Sequence, residues 1–171
     1  MRQKETLMKF RHLIFPALLF FAVAAASNND TELHAINKVL DDFHDAAAHG
    51  DKQRYLDHFT GDGVFLGTDE WERWPKRPDF TDYVESRFKD GVGWNYKSVE
   101  RAVSISASSN IAWFDEVLFS EQNGRFRGTG VLARQDGQWK VAHYAMSFLI
   151  LNENWDEVIE LTRNTNEKKE P

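Results

Sequence analysis

Residues 123–148 read NGRFRGTGVLARQDGQWKVAHYAMSF, and two features of that stretch decide the fold class. Asn123-Gly124 and Asp136-Gly137 are tight-turn pairs, because a glycine in second place takes the left-handed backbone region without steric cost. Around them the side chains alternate with the period of two expected of a strand lying half against a core. The alternation continues upstream, so strand-like runs cover residues 94–106, 111–121, 125–135 and 138–151. Four runs joined by such short turns predict an antiparallel meander.

Towards the N-terminus the period becomes helical. Leu33, Ile36, Leu40, Phe43 and Ala47 form one apolar stripe, with Asp30 as its predicted N-cap and Gly50 as its stop. Asp51 caps a second short helix carrying Tyr55, Leu56 and Phe59, which ends in Thr60-Gly61-Asp62-Gly63. Residues 64–68 read as one early strand, residues 69–77 as an aromatic and charged segment, and Pro78-Asp79 opens a third helix with Phe80, Tyr83, Val84 and Phe88. Helices followed by a meander predict an α+β fold with the helices on one face of the sheet. The tail, residues 153–171, reads as one helical turn and then a polar, mobile end.

Arg2, Lys4, Lys9 and Arg11 precede an apolar run over residues 13–26 that closes on Ala24-Ala25-Ala26. That order is a cleavable signal peptide over residues 1–26, and it predicts a periplasmic or secreted protein with no stable membrane anchor after processing. Met8 is a second possible start. The 171 residues contain no cysteine, which excludes a disulfide scaffold, a thiol nucleophile and a cysteine zinc site. A formal charge of −6, with no basic stretch beyond the first dozen residues, argues against a nucleic-acid partner. His34, His44, His49 and His58 have no i, i+4 pair among them and predict no metal site. There is no phosphate-cradling glycine loop and no nucleophile elbow, and no cofactor is expected.

The segments FTGDGVFLGT at 59–68, AWFDE at 112–116, RGTGVL at 127–132 and WKVAHYAMSF at 139–148 together resemble the SnoaL-like branch of the nuclear transport factor 2-like superfamily, over residues 31–152. The resemblance implies a cone: a curved antiparallel sheet wrapped around an N-terminal helix layer, the cystatin-like or ketosteroid-isomerase-like architecture, with residues 27–152 as the domain. It also implies an internal pocket and an outer sheet face that often pairs two chains. It does not fix an activity, because the superfamily spans isomerases, cyclases, epoxide hydrolases and noncatalytic modules.

If both turns are two-residue loops, Val117 lies opposite Gly130, Phe119 opposite Gly128, and Gly130 opposite His143. One face then carries Trp113, Asp115, Phe119, His143 and Ser147 around the two side-chain-free positions Gly128 and Gly130. This face is expected to line the cone, with Asp115 and His143 as candidate acid–base residues. Trp71, Trp74 and Trp94 are expected to complete the pocket, while Phe114, Leu118, Tyr144, Met146 and Phe148 on the opposite face form a homodimer interface. A bulge in either hairpin would exchange the two faces. Arg127 falls on the face opposite Asp115, so the acid–arginine–acid arrangement of epoxide hydrolases is not expected. Arg101 and Glu116 are placed to pair across neighbouring strands. The resulting expectation is an exported domain that binds a small apolar or mixed-polarity molecule. The alternatives are a cofactor-free isomerase or cyclase using Asp115 or His143, and a noncatalytic interaction module.

Overall fold

A computed structural model describes residues 15–89 and 91–167. These fall into two compact units, one ending at Lys38 and one beginning at Val39. The first unit is the N-terminal part of helix α1 (Phe15–Ala48), where the Asn37 side chain donates to the Leu33 carbonyl at 2.9 Å. Because α1 begins at Phe15, Asp30 lies inside the helix and is not its cap. Residues 1–14 of the predicted signal segment lie outside the described residues, as do residues 168–171 of the tail. Among the described residues no helix is long and apolar enough to cross a membrane.

The second unit opens with the last turns of α1, which bury Leu40, Phe43 and Ala47 as the 3-4 spacing requires. Gly50, at φ +63°, ends the helix: its N–H donates to Ala47 and that of Asp51 to Ala46, so two otherwise orphaned carbonyls are satisfied. Asp51 then caps α2 (Lys52–Asp57), its carboxylate accepting from the Arg54 N–H at 3.1 Å. Strand β1 (Phe59–Leu66) starts earlier than expected and turns into β2 (Arg73–Pro75), a strand hidden in the aromatic segment. An irregular turn over Lys76–Phe80, containing a cis Arg77–Pro78 bond, leads into α3 (Thr81–Arg87). The meander follows as β3 (Lys97–Ile105), β4 (Ile111–Ser120), β5 (Gly124–Gln135) and β6 (Gln138–Phe148). The tail forms a short turn at Asn152–Asn154 and then α4 (Trp155–Glu167), which is longer than the single turn expected.

The result is an α+β fold whose six strands form one curved, unclosed sheet in the order β2-β1-β6-β5-β4-β3. The meander is antiparallel as read, but β1 joins β6 in parallel, pairing Phe65 with Tyr144. No local pattern encodes that partnership, since it joins segments almost eighty residues apart.

Both hairpins depart from the predicted register, and each departure has a local cause. Asp136 at φ +51° and Gly137 at φ +78° do make a two-residue turn with Gln135 opposite Gln138. Farther along, a bulge at Ala142 shifts the pairing, so Val131 faces His143 and Gly130 faces Tyr144. In the other hairpin Gly124, at φ +84°, closes a three-residue loop, and Ser120 pairs with Gly124. An Asn-Gly pair serves either loop length, because each places its glycine in the left-handed region. Both shifts are odd, and an odd shift moves a strand's side chains to the other face.

The predicted face assignment is therefore reversed for β4 and for β6 beyond the bulge, while Gly128 and Gly130 of β5 keep the predicted inner side. Trp113, Asp115, Phe119, His143 and Ser147 are exposed on the outer face, whereas Phe114, Leu118 and Tyr144 are buried on the inner one. Asp115 faces Thr129, and Arg127 reaches the same exposed surface, its guanidinium 3.4 Å from the Asp115 carboxylate. Phe114, Leu118, Tyr144 and Met146 thus cannot form the predicted dimer interface, and the separation of Arg127 from Asp115 does not hold. The core is aromatic: Phe43 stacks on Tyr55 at 4.6 Å, and Phe65 stacks on Phe80 at 4.6 Å. Burying each such ring contributes about 1.5–3 kcal/mol.

Candidate functional site

A cavity of about 630 Å³ opens within the second unit, between the inner face of the sheet and the helices. Phe43, His44 and Ala47 of α1 and Tyr55 of α2 form one wall; Phe65, Leu118, Phe126, Tyr144, Met146 and Phe148 reach it from the strands. Trp74, Tyr83, Arg87, Trp94, Tyr96 and Asn123 come from β2, α3 and the connecting loops. The lining is mostly aromatic because the strand positions that face inward are the apolar half of each alternation.

The wall meets a buried polar cluster at His44. Glu116, 1% exposed, accepts from His44 Nε2 at 2.8 Å and from the Tyr144 hydroxyl at 2.9 Å through Oε1. Its Oε2 accepts from Arg101 Nε at 2.9 Å, and Arg101 also binds Asp41 at 2.8 Å. Arg101 and Glu116 are cross-strand partners, as expected, and the pair is buried. Burial alone would push the Glu116 carboxyl up; the hydrogen bond and charge of His44, with the Arg101 guanidinium, outweigh it and hold the carboxyl at about 2. Burial and the neighbouring Glu116 carboxylate push the Tyr144 phenol well above its usual range, so its hydroxyl stays a donor.

The glycines of β5 serve this cluster. A Cβ on Gly128 would run into the Tyr144 hydroxyl and come within 3.0 Å of Glu116 Cγ, while one on Gly130 would lie 2.7 Å from the Phe114 ring. The side-chain-free positions do admit a close approach, but neighbouring side chains of the protein occupy it. A second histidine, His58, donates from Nε2 to the Asp42 carboxylate at 2.8 Å outside this cavity; burial lowers its pKa, against the pull of Asp42. Among the described residues no group of His, Cys, Asp and Glu is arranged to hold a metal ion.

Of the predicted pocket residues, Trp74 and Trp94 line the cavity. Trp71 is 65% exposed and touches Trp74 edge-on at its rim. Gly128 and Gly130 face inward beneath Tyr144 and Phe114. Trp113, Asp115, Phe119, His143 and Ser147 share the outer face and do not meet the cavity. The sequence reading did not assign His44 or Glu116 to the pocket, although each left a signal. His44 lies four residues after Leu40 and three before Ala47, on the apolar stripe, and Glu116 sits between Phe114 and Leu118 in an apolar alternation.

The description SnoaL-like domain matches residues 36–151, well over half of the 171. The chain belongs to the SnoaL-like domain family. Its fold is shared by solved structures of low sequence identity. An NTF2-like protein of unknown function from Pseudomonas putida KT2440 is 18% identical, with a TM-score of 0.60, over 74% of this chain and 92% of that one. A protein with a cystatin-like fold from Caulobacter vibrioides is 16% identical, with a TM-score of 0.58, over 77% and 99%. A protein provisionally assigned as a ketosteroid isomerase from Parabacteroides distasonis is 17% identical, with a TM-score of 0.51, over 61% and 80%. No curated protein matches the SnoaL-like chain. The predicted superfamily and fold class stand.

Proposed function

We propose that this SnoaL-like protein is exported and binds a small apolar or mixed-polarity molecule in the cavity between helices and sheet. The supporting observation is the cavity itself: about 630 Å³, walled largely by aromatic rings, with His44, Glu72, Arg87 and Asn123 also in its lining. Pockets of roughly 300–1,000 Å³ with that balance of lining suit drug-sized ligands. Native mass spectrometry of the chain from Ser27, together with calorimetric titration of 2-naphthol, tests the reading. A carried or titrated ligand that Leu118→Trp displaces, with circular dichroism unchanged, supports it. No carried ligand and no binding of any apolar probe overturn it. Expression of the full chain in a Gram-negative host tests export, which predicts a periplasmic or secreted product beginning at Ser27.

The homodimer belongs on the outer face instead, where Trp113 is 51% and Phe119 39% exposed. Light scattering after gel filtration, with Trp113→Glu as the control, tests it. A catalytic reading draws on one observation, the His44–Glu116 pair at the cavity wall. In that reading the protein is a cofactor-free isomerase or cyclase, and His44, oriented by Glu116, is the proton-transferring group in place of Asp115 or His143. Deuterium exchange beside the carbonyl of 2-tetralone, followed by NMR, should fall to the solvent rate in His44→Gln; equal rates in both proteins sink this reading.

A further inference from the structure

Five of the cavity-lining rings share an orientation, whereas Tyr55 meets Trp94 at 70° and Phe126 meets Tyr96 at 74° and Phe148 at 85°. The Tyr144 ring lies within 3° of the Phe65 plane, Trp94 within 15° and Trp74 within 24°. Tyr83 extends the set, at 21° to Trp74 and 27° to Trp94. Unaligned aromatic cores mix edge-on and stacked pairs, as the Phe43 contacts with Phe59 (71°) and Tyr55 (19°) do. Five lining rings tilted alike make a laminated wall, against which a flat ring system can lie parallel without reorienting any of them.

The charges at the cavity are unequal in what they have left to offer. His44 is committed to Glu116 at 2.8 Å. Glu72 accepts the backbone N–H groups of Thr68 at 2.8 Å and Asp69 at 3.1 Å, which hold its carboxylate in the β1–β2 turn. Arg87 is different: it makes no ion pair among the described residues, and its guanidinium sits 5.3 Å over the Tyr83 ring at the exposed end of the cavity. A guanidinium stacked on a ring keeps its in-plane N–H fork available, and that fork matches a carboxylate with two parallel hydrogen bonds. Contact with the ring also restrains the side chain, so less freedom remains to be lost when an anion binds.

Resting on the binding reading above, we infer that the cavity selects a planar aromatic carboxylate, with its rings parallel to Phe65 and Trp94 and its carboxylate on Arg87. The body of the ligand gains stacking and desolvation, and the acid gains the one cation of the lining that no acidic group has claimed among the described residues. A cationic ligand would place its charge beside Arg87 and gain only the committed Glu72.

Calorimetry with four probes separates the parts of the inference: 2-naphthoate, neutral 2-naphthamide, the non-planar decahydro-2-naphthoate, and cationic 2-naphthylmethylamine. We expect 2-naphthoate to bind at least tenfold more tightly than each of the others. Arg87→Gln should erase its advantage over 2-naphthamide while leaving the amide's affinity within twofold. Circular dichroism and the amide's unchanged affinity show that the variant is folded. If the amide binds as well as the acid, or if Arg87→Gln leaves the difference intact, the assignment of Arg87 is overturned although the binding reading stands. Equal affinity for the decahydro acid overturns the planar preference, and tighter binding of the amine overturns the sign of the charge. If none of the four binds and no molecule is carried through purification, the binding reading itself fails.

Discussion

Glu116→Gln tests the buried cluster because it preserves shape and removes only the charge that His44 and Arg101 face. The native carboxyl titrates at about 2, against an ordinary value of 4.5. At about 1.4 kcal/mol per pH unit, that gap corresponds to about 3 kcal/mol of stability. A carboxyl whose native pKa lies below its unfolded value contributes this stability fully above pH 4.5 and loses it as the pH falls through 4.5 towards 2. Near neutral pH the variant should be less stable by about 3 kcal/mol or more, because the Arg101 guanidinium loses its buried counter-charge and His44 its charged hydrogen-bond acceptor. Urea unfolding followed by the fluorescence of the six tryptophans, repeated between about pH 7 and pH 2.5, measures both proteins. Groups away from the cluster are the same in both chains, so the difference between the curves reports the Glu116 cluster. That difference should shrink steadily below about pH 4.5. Curves that stay parallel down to the lowest pH would refute the reasoning, since the stabilisation would then not depend on the Glu116 charge.

Three further outcomes follow from the same geometry. Tyr144→Phe removes one donor to Glu116 and should cost about 1–2 kcal/mol in chemical unfolding, with the Glu116 carboxyl titrating higher by NMR. Gly128→Ala drives a methyl group into the Tyr144 hydroxyl and should cost roughly 1–3 kcal/mol; adding Tyr144→Phe should recover part of that loss, which thermal unfolding of the double variant reads. Asp115→Asn and His143→Ala, both on the exposed face, should change stability by no more than about 0.5 kcal/mol and leave 2-naphthol affinity unaltered. A loss of binding in either would place the ligand on the outer face.

The helix stripe ending at Gly50, the Asp51 cap, the four meander strands and the Asp136-Gly137 turn were legible because each depends on residues within a few positions of one another. The site was less legible. Trp74 and Trp94 were found through their bulk and clustering, but Asp115 and His143 were placed inside by a register argument that failed at two points. One was the loop length at Gly124, the other the bulge at Ala142. Either shift alone would have exchanged part of the sheet; together they turned the candidate acid–base pair outward and brought Tyr144 and Glu116 in. His44 went unassigned because a histidine on an apolar stripe acquires a role only through what packs against it.

By itself, then, the sequence determined the kinds and order of the elements other than β2, the α+β class and the family, since periodicity, caps and turns are short-range properties of the chain. Only the tertiary structure decided the parallel pairing of β1 with β6, the face on which each strand residue lies, and the meeting of His44, Arg101, Glu116 and Tyr144. The physical reason is that strand side chains alternate, so a single added residue reverses their direction without altering the local pattern. A buried carboxylate, moreover, is held by partners that come from distant parts of the chain.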